Sequence, residues 1–154
     1  MKLKPLQLED RAEIFYEFLS VLSKKHNIDH VFIEEPFTMF GGGRTTAGTM
    51  AKLQRFNGMC SFAVRRVFKT NPVLIPANKA RKSVGLKIKR GEDTKKKIIE
   101  WVETKYPNDF VYELTNYGNP KPGTDDKADA VVIALAGMEL LNEKQYEINN
   151  GEIQ

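Results

Sequence analysis

Soft metal ligands are scarce in this 154-residue chain, which has one cysteine, Cys60, and two histidines, His26 and His30. A single cysteine excludes an intramolecular disulfide framework and fits a reducing compartment. Embedded in "NGMCSFAV", Cys60 reads as a small buried hydrophobe. So few soft ligands leave a structural zinc site without a ligand set, and any metal here is expected to be a hard one. Long apolar runs are also missing. The longest, Ala130 to Met138, is far short of the roughly 20 residues that span a bilayer. "MKLKPLQLED" has no apolar signal core either, so a soluble, cytoplasmic protein without membrane contact is expected. There are no repeats, linkers or low-complexity segments.

What the chain does contain is alternating helical and strand patterning. Leu8, Phe15, Phe18, Leu19 and Leu22 recur at helical steps between Leu8 and His26. "HVFIEE" then reads as a strand buried on both faces and ended by Pro36. A loop, "FTMFGGGRTTAG", leads into a long helix from Ala47 to Phe68, whose Met59 and Phe62 point away from its main apolar face. "PVLIP" is a short proline-bounded strand, Thr94 to Lys105 a helix, and "TNYGNPKPGT" a turn-rich loop. The last helix is expected from Asp125 to about Asn142, capped by Thr124 or Asp125. The pattern predicts one α/β domain over residues 1–142, built on a parallel sheet, with residues 143–154 as a polar tail.

Acids stand against the apolar runs at two places, and burying a carboxylate without a partner costs several kcal/mol, on the order of the whole stability of a small domain. In "DDKADAVVIALAG", Asp126 and Asp129 are three apart on a helix and share a face in its first turn, where the helix dipole favours their charge. In "IEEP", Glu34 and Glu35 end the buried strand, the edge where open α/β sheets place ligands. Successive strand residues face opposite sides, so one of the two can join the aspartates, and periodicity does not choose between them. Three convergent carboxylates would need a divalent cation, and oxygen ligands suit Mg²⁺ or Mn²⁺. Two such ions can activate water and stabilise the leaving oxygen in phosphodiester hydrolysis.

The formal net charge is +4, and the positive residues are concentrated. Lys79, Arg81, Lys82, Lys87, Lys89, Arg90, Lys95, Lys96 and Lys97 place nine of the 24 Lys and Arg within 19 positions, opposed only by Glu92 and Asp93. Such a field suits a nucleic-acid backbone. "FGGGRTT" lacks the G-K-[S/T] ending of a P-loop, so a flexible loop laying Arg44 on DNA is the functional reading there.

Taken in order and spacing, "VFIEEPF", "LQRFNG", "ANKARKSVGLKIKRGEDTKKKIIEWV" and "DDKADAVVIALAG" resemble the phage-type branch of the RuvC family of Holliday-junction resolvases, from about Leu8 to Gly137. The resemblance implies a ribonuclease H-like fold and a homodimer that cuts branched or junction DNA symmetrically with carboxylate-held Mg²⁺. Were the chain phage-encoded, its compartment would be the host cytoplasm. It selects Glu34 as the strand ligand beside Asp126 and Asp129, and places helper lysines at Lys82 and Lys95. The remaining positive residues, Lys79, Arg81, Lys87, Lys89, Arg90, Lys96 and the loop's Arg44, would line the DNA. The family's opening three-strand hairpin, with its first-strand aspartate, has no counterpart in "MKLKPLQLEDRAE", so a separate segment supplying those strands is an expected partner. A non-catalytic DNA-binding module that keeps the fold and the basic face is the alternative, and an unrelated α/β interaction protein a third reading.

Overall fold

The computed structural model describes residues 6–36 and 46–149. Five helices and two strands follow one another as α1 (Leu8–Ser23), β1 (Phe32–Glu34), α2 (Ala47–Phe68), β2 (Val73–Ile75), α3 (Ala77–Ser83), α4 (Thr94–Lys105) and α5 (Thr124–Asn149). The strands pair in parallel, with the Val73 N–H donating to the Val31 carbonyl at 2.9 Å, and α2 is the crossover between them. The α/β character and the parallel pairing are thus as the sequence predicts. The chain divides into two compact units, 1–74 and 75–154.

In the first unit α1 starts where the Gln7 N–H donates to Asp10 Oδ2 at 2.9 Å, and Glu9 and Asp10 put negative charge on its first turn. Thr46 Oγ1 accepts the Thr49 N–H at 3.2 Å and caps α2. These two helices pack on each other around Leu19, Ala63 and Val64, with Phe15, Val31, Ile33, Val67 and Phe68 against them. Glu9 and Arg55 add an exposed ion pair between α1 and α2. Contrary to expectation, β1 is three residues long and only half-buried at Phe32 and Ile33. Burial of both faces needs a packed layer on each, and Val31 and Ile33 lie against the α1–α2 core while Phe32, on the opposite face, is not part of it.

The second unit is a helical layer closed on α5. Ala77 and Ala80 of α3, Ile98, Ile99 and Val102 of α4, and Ala128, Val132, Ile133 and Ala136 of α5 are buried, and α3 and α4 each pack against α5. The buried α5 positions recur at three- and four-residue steps, so one face carries the contact. Asp93 caps α4, its Oδ1 accepting the N–H groups of Lys95 at 2.9 Å and Lys96 at 3.2 Å. Helix α5 runs seven residues beyond the expected Asn142 into what the sequence reads as a polar tail. "EKQYEIN" is rich in helix formers, and extending a helix already anchored by packing avoids the nucleation cost, so an exposed polar segment can stay helical. No helix among the described residues is long and apolar enough to cross a membrane.

Candidate metal and nucleic-acid site

The second unit brings the acids at the start of α5 together with cations from the basic segment. Gly123, at φ +91°, turns the chain into the helix, a conformation that L side chains rarely adopt. Its carbonyl accepts the Lys127 N–H at 3.1 Å. Thr124 is buried and its hydroxyl donates to the Lys121 carbonyl at 2.7 Å. It therefore ties the helix to the preceding loop as the first helical residue, instead of capping it as expected.

Asp125 accepts a hydrogen bond from Lys95 Nζ across 30 positions of sequence. That bond holds the Asp125 carboxyl below its ordinary value, against the effect of burial, and the N–H groups of Asp125 and Asp126 help. The Lys95 ammonium is held above its ordinary value, first by the Asp125 hydrogen bond and charge, then by the charges of Asp126 and Asp129. Asp129 goes the other way. Burial raises its carboxyl, the Arg81 guanidinium 3.7 Å away partly offsets this, and Asp125 and Asp126 repel its charge. Arg81 Nε is buried with no hydrogen-bond partner among the described residues, while its terminal nitrogen faces Asp129. Asp126 is exposed and has no cation partner among the described residues.

The helper residues divide. Lys95 reaches the acids, whereas Lys82 is exposed without a carboxylate partner and its neighbour Arg81 takes the inward role. Lys97 is held by Glu92 at 3.7 Å and Glu100 at 3.3 Å, and Lys96 lies 4.0 Å from Glu100. The side chains of Lys79, Lys87, Lys89 and Arg90 are exposed and form no ion pair among the described residues, although the Lys89 backbone N–H donates to Glu92 Oε2 at 2.7 Å. Arg44 lies outside the described residues. Beside the Lys95–Asp125 pair opens a groove of about 640 Å³, bordered by Lys96, Tyr112, Asn119, Lys121 and Thr124.

Glu34 belongs to the first unit, exposed at the end of β1, where its carbonyl accepts from Asn57 Nδ2 at 2.9 Å; Glu35 is half-buried. Among the described residues no group of three or more His, Cys, Asp or Glu side chains is arranged to hold a metal ion. The donors at the α5 start are hard oxygens whose mutual repulsion a divalent cation would relieve, so their chemistry fits Mg²⁺. Sequence reasoning missed the role of Asp125. Its position beside Asp126 was visible, but a partner 30 residues upstream was not.

The opposed shifts carry a pH prediction. Asp129 has a raised folded pKa, so its ionised form weakens the fold at neutral pH, and the penalty disappears as pH falls through that raised value to the ordinary 3.8. Asp125 has a depressed folded pKa and contributes stability that is present above 3.8 and lost as pH falls through the lower folded value. Asp129→Asn is expected to raise the melting temperature slightly at neutral pH and Asp125→Asn to lower it, each by no more than a few degrees. Thermal melts of both variants from about pH 3 to about pH 8 check this. Shifts of the same sign at neutral pH would contradict it.

No family model, curated protein or solved structure matches this chain.

Proposed function

We propose that the chain is a Mg²⁺-dependent, structure-selective DNA endonuclease of the Holliday-junction resolvase type, with a ribonuclease H-like core and a homodimeric assembly. The observation that supports it is the meeting of three aspartates at one helix start with Arg81 and Lys95 from a strongly basic segment. A nuclease needs both signs within a few ångströms, acids for the metal and cations for the phosphate. In this reading Asp126 and Asp129 hold Mg²⁺, which supplies an activated water and charge stabilisation at the phosphorus when bound. Lys95 carries a positive charge next to the carboxylates, where it can meet the scissile phosphate. Lys82 and the other exposed cations hold the strand on either side. Phe62 of α2 is 67% exposed, and with Met59 and Tyr16 it borders an apolar groove between α1 and α2, which suits a contact with a second copy.

A second reading, a DNA-binding module without cleavage, is favoured by one observation. Two of the three aspartates already have cation partners, Lys95 on Asp125 and Arg81 on Asp129. Incubating the chain with a four-way DNA junction and with linear duplex, in Mg²⁺ and in Mn²⁺, separates the two. Metal-dependent nicks near the branch point are expected. Binding to the junction without cleavage in either metal would leave the second reading, and the lack of any salt-dependent DNA binding would overturn both.

A further inference from the structure

The only tryptophan of the chain lies on the face of α4 that does not enter the core. Ile98, Ile99 and Val102 are buried, while Trp101 is half-buried beside a shallow groove of about 540 Å³. Leu86 and Lys87 from the loop before α4 form one part of its lining, and Lys97, Glu100 and Lys105 of α4 the other. Lys105 Nζ rests 5.0 Å from the centre of the indole ring. Glu100 is engaged with Lys97, whereas Lys87 and Lys105 have no carboxylate partner among the described residues. An aromatic face with two uncommitted ammonium groups beside it combines the two elements by which proteins hold single-stranded nucleic acid, a stacking surface for a base and cations for the flanking phosphates.

We propose that Trp101, Lys87 and Lys105 form a subsite for an unpaired nucleotide of DNA, with the base stacked on the indole and the neighbouring phosphates on the two lysines. The groove is of a size that holds a nucleotide. Lys105 covers the ring in the free protein, and an exposed cation–π contact is weaker than a base–aromatic stack, so a base can take its place while the ammonium swings to a phosphate. The Lys105–Trp101 pair, one turn apart on α4, also stabilises the helix, which keeps the indole ordered before DNA arrives. Stacking reads no particular base, so the subsite is expected to be sequence-tolerant. The inference rests on the proposed DNA binding and specifies where strand opening at a branch would be captured.

The test uses the full chain and its own tryptophan fluorescence. Adding a labelled oligo(dT) is expected to quench the indole in step with the rise in anisotropy of the label. Trp101→Leu is expected to weaken oligo(dT) binding roughly fivefold or more, leave duplex binding unchanged, and be largely rescued by Trp101→Phe. Indole emission that stays constant while anisotropy shows the oligonucleotide bound would overturn the subsite, and needs no variant to fold. Duplex binding without any oligo(dT) binding would overturn it and leave the nuclease reading standing. Failure to bind either DNA would remove both.

Discussion

A variant with Lys79, Lys82, Lys87, Lys89 and Arg90 all changed to glutamine is expected to lose about three and a half orders of magnitude in duplex-DNA affinity at about 0.15 M salt. The figure comes from counterion release, in which each phosphate contact contributes a slope of roughly −0.9 to log K against log salt, or about fivefold in affinity at that concentration. The slope itself should fall by about 4.5 if all five residues meet phosphates. The charged groups of these five are exposed and form no ion pair among the described residues. Arg81, Lys95 and Lys97 each face a carboxylate, so less of their charge is open to duplex phosphates in the metal-free protein. Changing those three should move the slope much less. Filter binding or anisotropy across a salt series makes the comparison, and equal slopes for the five-residue variant and the parent would reject the basic segment as the DNA-binding surface.

The distinction between committed and uncommitted cations marks where sequence reasoning stopped. The bounds of α2 and α4 were legible because helical apolar spacing is a local signal, and the caps found there, Thr46 and Asp93, agree with them. Helix α3 was not anticipated. It is seven residues long, lies between Pro76 and Gly85, and has too few apolar positions to show a period. The burial of β1 was over-read for a different reason, since a continuous apolar run reports what a strand could bury and not whether a layer covers each face. At the site, Asp126 and Asp129 were legible as same-face acids from their spacing of three. That Lys95 selects Asp125 and that Arg81, not Lys82, turns toward Asp129 depends on how α3 and α4 pack on α5. Nothing local encodes that choice.

The packing gives the acid cluster an internal balance. Lys95 and Arg81 partly neutralise three aspartates without a metal, and Asp126 keeps an exposed carboxylate. A divalent cation entering here would compete with Arg81 for Asp129 and would free that guanidinium for a phosphate. Metal entry and phosphate binding would then favour each other, because each takes one partner out of the same ion pair. The order of events at the site is an expectation of the nuclease reading, and it makes the effects of the aspartates on binding and on cleavage separable.

Asp126→Asn and Asp129→Asn are each expected to lower single-turnover cleavage of a branched substrate by roughly a hundredfold or more, because each removes one oxygen ligand and weakens the metal that the reaction needs. DNA binding should move in the opposite direction. In the nuclease reading each change deletes a negative charge from a surface that would face phosphates, so affinity measured without divalent metal should rise by a few-fold at low salt. Asn is close in size to Asp and changes little packing, and Asp129→Asn should in addition relieve the burial of a charged carboxylate, so neither effect should stem from unfolding. Asp125→Asn behaves as a control with a different signature. Losing the charge opposite Lys95 weakens the hold on its ammonium and leaves it more available to a phosphate, so binding should tighten while most of the cleavage remains. Rapid-quench cleavage alongside binding titrations in Mg²⁺ and in a chelator measures both quantities. If Asp126→Asn and Asp129→Asn cut at the parental rate, or if binding and cleavage fall together, the aspartates at the start of α5 are not metal ligands, and the acid cluster serves to hold Lys95 and Arg81 in place.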